Sequence, residues 1–369
     1  MAEARRKTEV WSGEAAPLAL FFRIMASADW ISRFQHRWGE LTRRAPLLVW
    51  LERWGISVAS VLLGLLTLFI FHRPIGYFPW FIGYLILLWM AGVLFLETRQ
   101  ELAARSPRVI GRVMDYTVQT MLHGVFLFLL PIYYASTTLL SNNVTMLLLL
   151  AAAAVLTSID PWYQAVFRQV RWIELFLFWL GLFASLNVAF PLVGIRAAPA
   201  LLLSAVLSVL VLAPTVRRRL GTGWREATTL TVLAAGVAGL VLWSARSWIP
   251  PVPLNLSRAT FAKSVVRLEP VESVEEVSVA EVSGWGGLSA FTAVTAPVGL
   301  QEEILHVWKR NGVPVGTIRL SPIRGLPQAA FRTYSRKRDL GKNPEGTWEV
   351  DVVTPFDQLI GRVKVRVTP

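Results

Sequence analysis

The chain has 369 residues, 54% of them hydrophobic, and a formal net charge of +13. It contains no cysteine, which excludes disulfides, thiolate metal sites and a cysteine nucleophile. The positive balance does not describe a nucleic-acid binder: 22 of the 37 basic residues precede Pro250 and lie in loops between apolar runs, where arginine is a topology signal.

Residues 1–53 read as a cytoplasmic segment. The start, MAEARRKTEVW, has no apolar core and no small-residue cleavage site, so no signal peptide is expected. Leu18–Ala26 is apolar but too short to cross a bilayer. With the Trp- and Arg-bearing stretch from Ile31 to Trp54, it suits helices lying along the membrane surface, interrupted at Pro46.

Residues 54–249 read as a transmembrane domain. A span needs ~20 apolar residues to cross ~30 Å of hydrocarbon. Seven runs qualify: Gly55–Phe71, Phe78–Leu96, Thr117–Leu140, Val144–Ile159, Trp172–Val193, Ala197–Val216 and Thr228–Trp248. The fourth is short and follows the tight Ser141-Asn142-Asn143 connection, so it is expected to pack closely against the third. Trp54, Trp80, Trp162, Trp172, Trp243 and Trp248 fall at span ends, where interfacial aromatics sit. Alternate gaps hold 19 Lys and Arg on one side and 2, Arg73 and Arg196, on the other. This bias puts the N-terminus in the cytoplasm, and an odd number of crossings puts the C-terminal part outside. In a bacterium that is the periplasm, and the membrane is the inner one.

Residues 250–257, opened by Pro250-Pro251-Val252-Pro253, cannot continue a helix and read as a short stiff spacer. From 258 to 369 the apolar period changes to two, as where Val363, Val365 and Val367 alternate with Arg362, Lys364 and Arg366. Eight strands are expected: Ala259–Val265, Val274–Val282, Leu288–Ala296, Ile304–Arg310, Val313–Leu320, Phe331–Arg336, Trp348–Thr354 and Gln358–Val367. Asn311-Gly312 marks a hairpin, since both residues tolerate positive φ. Short alternating strands with turn signals between them suggest an all-β, immunoglobulin-like sandwich.

In this half, LEPV at Leu268–Val271 is followed by His306-x-Trp308-x-x-Asn311-Gly312, Arg332-x-Tyr334-Ser335-x-Lys337, Gly346-x-Trp348-x-Val350 and Gly361. The series resembles an uncharacterised bacterial membrane-protein family whose C-terminal domain of unknown function follows several transmembrane helices. The resemblance covers roughly residues 259–367. It implies a setting and a fold, and no activity. The family pattern favours Arg before Glu-Pro-Val, whereas Leu268 stands there in this chain.

Groups that could carry chemistry are few. His123 lies mid-span in the third run with Gln119 one turn earlier, which suits either a proton or ion site or a packed polar pair. Glu174, Asp115 and Asp160 near span ends are expected to pair with Arg171, Arg112 or Arg168. The last span has no lysine for a retinal Schiff base. Pro131, Pro191 and Pro199 show no symmetry of the kind inverted-repeat transporters carry. A Ser-His-Asp set would need His306 near Ser335 and an acid such as Asp339 or Asp351. Glu302 and Glu303, adjacent on a strand, point to opposite faces and make no glycosidase dyad. No metal or cofactor is expected, since one His without Cys does not supply a ligand set. Trp308 and Trp348 suit core anchors. Asn143-Val144-Thr145 and Asn255-Leu256-Ser257 match glycosylation acceptors by chance.

The one surface stretch with binding chemistry is Arg332, Tyr334, Arg336, Lys337 and Arg338, which could hold phosphate, carboxylate or sugar groups. The expectation is therefore a non-enzymatic inner-membrane anchor. Its outer sandwich would bind an envelope protein or an anionic envelope polymer, and its helices the lipid bilayer. The alternative is a small-solute or ion transporter with an accessory outer domain.

Overall fold

A computed structural model describes residues 107–159, 163, 172–327, 329–341 and 343–369. The expected cytoplasmic segment, the first two spans and Asp160, Arg168 and Arg171 lie outside the described residues. So do the side chains of Arg112 and Asp115. The described helices and strands belong to one compact unit, Ser60–Pro369.

Among the described residues six α-helices come first: α1 (Pro107–Ala135), α2 (Val144–Ser158), α3 (Ile173–Leu192), α4 (Ala197–Leu210), α5 (Ala213–Leu220) and α6 (Trp224–Ser244). Among the described residues, four stretches are long and apolar enough to cross a membrane: Val118–Ala135, Ile173–Leu192, Ala197–Leu220 and Trp224–Ser244. Val144–Ser158 is apolar but shorter. The expected run Ala197–Val216 is broken into α4 and α5. Pro214 has no N–H to give Leu210, so the helix stops there and restarts. α5 then ends on Gly221, whose φ of 64° is open to a residue without Cβ.

α6 packs on α4 through a stripe of small residues. Ala227, Thr231, Ala235 and Gly239, four apart, are its buried positions. Such spacing puts all four on one face and lets two backbones approach closely. A Cβ on Gly239 would stand 3.6 Å from Val206 Cγ2, already in van der Waals contact with α4.

The β part has two facing sheets. One is ordered β2-β1-β4-β9 and the other β3-β11-β10-β6-β7. The strands are β1 (Asn255–Val266), β2 (Glu269–Val274), β3 (Glu276–Ser278), β4 (Leu288–Thr295), β5 (Gln301–Glu302), β6 (Leu305–Arg310), β7 (Val313–Arg319), β8 (Ile323–Arg324), β9 (Phe331–Lys337), β10 (Gly346–Val353) and β11 (Leu359–Thr368). β5 and β8 form a separate short pair, and β3 runs parallel to β11. Between the sheets Trp308 and Trp348 are fully buried and meet edge to face at 6.4 Å, with Phe261 against Trp308 at 5.6 Å. A second apolar cluster, around Leu254, Leu300, Ile304, Ile323 and Ile360, fills the end nearer the helices.

The expected strand Val274–Val282 is corrected. Its first residue closes β2, Glu276–Ser278 is β3, and Val279–Trp285 is a short helix, α7. Ser278 and Glu281 exchange side-chain and backbone hydrogen bonds at its start, a capping box that commits the chain to helix. The same bonds hold the Glu281 carboxyl below its usual range. β2 itself was not expected. Its hairpin turns at Arg267 and Leu268, both with positive φ (52° and 58°), and neither residue type announces such a turn. Glu269 lies opposite Val266, about 26 Å along an extended strand from Arg258. Yet Glu269 pairs with Arg258 at 3.6 Å and also with Arg332, so the hairpin bends back across the outer face of its sheet. Phe291, on that face of β4, is accordingly buried, with the Arg258 guanidinium 5.7 Å from its ring centre.

Replacing Gly239 by Leu should destabilise the bundle by about 1–3 kcal/mol, the usual cost of overpacking a close contact. Gly236→Leu, at a position with nothing within 4 Å of a Cβ, should leave the thermal midpoint in detergent unchanged. The pair of melting curves checks the stripe.

Candidate functional site

The β module sits on the bundle through specific polar contacts. Glu302 is buried and its Oε2 accepts from the Ala197 N–H at 2.7 Å, the first residue of α4. A helix start leaves N–H groups unpaired and carries partial positive charge, so a carboxylate suits it. Burial raises the Glu302 carboxyl above its usual range, opposed by the Ala197 bond and the charge of Arg196. Asn143, between α1 and α2, is buried and gives its amide to the Leu359 carbonyl at 3.1 Å. Gln358 Nε2 donates to the Ile249 carbonyl at 3.3 Å. Arg246 donates to the Phe356 carbonyl at 2.9 Å, and Trp243 meets the Phe356 ring at 5.4 Å. Within the short stiff spacer expected over 250–257, Val252 joins the helical core and Leu254 the sheet core, as Ile249 just before it joins the helical core.

Inside the sheets, His306 and Ser335 do come together. His306 Nδ1 lies 2.8 Å from Ser335 Oγ, and Nε2 lies 3.0 Å from Thr292 Oγ1. Trp308 Nε1 donates to the same Ser335 oxygen at 3.0 Å. The position a triad gives to an acid holds a threonine. Asp339 is exposed and bonds its own turn through the Gly341 N–H, while Asp351 is engaged on the far face of β10. Burial pushes His306 down to about 3, so it is neutral and serves as one donor and one acceptor. His306 and Ser335 are both buried, as are Thr292 and Trp308, so the set is a polar brace within the sandwich.

A second network lies on the outer face of β10. Asp351 and Glu349 are buried under cations. Lys309 reaches Asp351 at 2.7 Å, Arg362 grips both Asp351 oxygens, and Lys364 reaches Glu349 at 2.7 Å. Burial pushes Asp351 up, but hydrogen bonds from Arg362 and Lys309 outweigh it and hold the carboxyl below its usual range. Asp351 lies directly opposite Arg362, and Glu349 opposite Lys364. The acids of Glu-Val-Asp-Val and the bases of Arg-Val-Lys-Val could have been paired from sequence as cross-strand partners.

The candidate binding residues are divided by strand geometry. Arg332, Tyr334 and Arg336 face outward from β9, while Thr333 and Ser335 face the core. Arg332 is paired with Glu269, and Arg336 donates to the Trp285 carbonyl at 2.6 Å. Lys337 turns toward β7 and lies 3.4 Å from the Val315 carbonyl, and Arg338 is exposed beyond the strand. β7 and β9 are outer strands of their sheets among the described residues, so these cations line an open side of the module.

In the bundle, His123 and Gln119 are buried between α1 and α2. Gln119 Nε2 donates to the Thr157 carbonyl at 3.0 Å, and His123 Nδ1 lies 2.9 Å from Ser158 Oγ. Glu174 pairs with Arg219 on α5 at 3.6 Å. Among the described residues no group of three or more metal-binding side chains gathers.

A family of unknown function, DUF5924, matches residues 34–289. The chain belongs to that family. A second model, a protein of unknown function (DUF2914), matches residues 301–367 and contains the run from His306 to Gly361. The resemblance read from residue 259 onward therefore starts earlier than this match does, since β1, β2 and β3 fall within the DUF5924 region. No curated protein and no solved structure matches the chain.

Two measurements check these assignments. Glu302→Ala should cost about 1–3 kcal/mol by leaving the α4 start without its acceptor, and Glu302→Gln should recover part of it. For His306, the unfolded chain takes up a proton below the ordinary 6.5 that the folded chain refuses down to about 3. Its contribution to stability should fall by about 2 kcal/mol from pH 6.5 to 5, and denaturation of His306→Gln should lack that slope.

Proposed function

We propose that this member of DUF5924 is a non-enzymatic anchor in a bacterial inner membrane, whose β module binds an envelope protein or an anionic envelope polymer. In this reading seven helices cross the membrane, the N-terminal segment is cytoplasmic, and the module is a periplasmic, immunoglobulin-like sandwich. The observation that carries it is the mounting: a module fastened to several helix ends, with β7 and β9 at the sheet edges among the described residues, Lys337 reaching between them, and Arg336 and Arg338 exposed beside it. A fixed module with an open basic side suits presentation of a binding surface.

The charge bias that sets sidedness agrees with where the module sits. The two connections that touch the module, around Asn143 and Ala197, carry between them only Arg196. Arg217, Arg218, Arg219 and Arg225 lie at the opposite ends of α5 and α6, as cytoplasmic arginines would. The transporter reading draws on His123 and Gln119, yet both side chains are engaged with α2, as helix-packing polar groups are.

Arg336→Glu combined with Arg338→Glu should lower recovery of the partner from crosslinked membranes by about threefold to tenfold, the range for losing rim charges. Unchanged recovery, with the variant inserted normally, counts against the basic side as the binding surface.

A further inference from the structure

Three loops of the β module carry exposed apolar tips at the end that meets the bundle. Phe356, between β10 and β11, is 43% exposed although one side of its ring lies against Trp243, one residue before the last of α6. Val298, between β4 and β5, is 59% exposed, and its neighbour Gly299 lies against Gly194 at the α3–α4 connection. Leu326, after β8, is 42% exposed. It follows Gly325, whose N–H donates to the Leu300 carbonyl and where a Cβ would collide with the Pro297 carbonyl, beside Val298. Three separate loops thus bring apolar side chains to the level where α3 and α6 end and α4 begins.

That level is where headgroups meet acyl chains. Trp248, exposed just past α6, and Arg246, with its guanidinium 5.3 Å from the Trp243 ring centre, are the residue types that mark it. The apolar tips continue the lipid-facing surface of the helices onto the module itself.

We propose that the β module is a lipid-contacting wedge, with Val298, Leu326 and Phe356 inserted into the outer-leaflet interface of the bilayer that the helices cross. The bilayer fits this surface because it is continuous with apolar helix ends, while Arg246 ties the Phe356 loop to the end of α6 through the Phe356 carbonyl and Asp357. The inference rests on the helices being membrane spans, and its test separates the two claims.

The chain has no cysteine, so single substitutions can be labelled cleanly. Val298→Cys, Leu326→Cys and Phe356→Cys, each carrying an environment-sensitive fluorophore, would be reconstituted in phosphatidylethanolamine–phosphatidylglycerol vesicles with shallow or deep spin-labelled lipids. Val237→Cys, on the exposed face of α6, reports the span. Val313→Cys, at the Asn311-Gly312 hairpin remote from the helices, reports the aqueous end. The expected result is emission loss with shallow quencher at the three loop sites, loss with deep quencher at Val237, and none at Val313. Loop sites that resist lipid quenchers while Val237 responds would overturn the wedge and spare the spans. A silent Val237 would overturn both, and quenching at Val313 equal to that at the loops would overturn the end-on seating.

Discussion

A helix that ends leaves backbone groups without intrahelical partners, and the seating of the β module depends on supplying them. Glu302 takes the first N–H of α4, and Gln358 donates to the carbonyl of Ile249 just past α6. Asn143 works the other way, with a side chain from the helical connection finding a carbonyl at the start of β11. Each bond is individually modest, with a net value of about 1 kcal/mol. Their effect lies in the alternative, because a buried acceptor or donor whose partner is withdrawn pays its full desolvation. The module is therefore held in one position, and everything it displays is displayed at a fixed height.

Architecture was legible where a single local rule governs it. The Asn311-Gly312 hairpin formed as its sequence says, with φ of 50° and 81°. The small connection before Val144 joins a packed pair, and Trp308 and Trp348 are the anchors of the sandwich. Two further local signals act against the surrounding pattern. Ser278-Val279-Ala280-Glu281 is a capping box set inside a β-rich stretch, and Pro214 stands where Ala197–Val216 was expected to run unbroken.

What could not be read depended on partners remote in sequence. Nothing near Glu302 says that its carboxylate meets Ala197, because that meeting is a property of the whole packing. The turn at Arg267 and Leu268 lacks glycine or asparagine and holds because its hairpin is tied across the sheet by Glu269. His306 and Ser335 have the residue types of half a catalytic set. They do meet, but a neighbouring threonine and tryptophan turn the meeting into internal support.

The two family matches divide the sheets in an unexpected place. β1 and β2 share a sheet with β9, and β3 runs beside β11, so strands from one match complete the sheets of the other. The Thr368 hydroxyl lies 3.5 Å from the Val277 carbonyl across a separation of 91 residues. Closing such distant pairs is slow, and edges left waiting for them are prone to wrong association. Until the second region has been made, β1, β2 and β3 lack the strands that complete their sheets, so the sheets can close only after it has joined them.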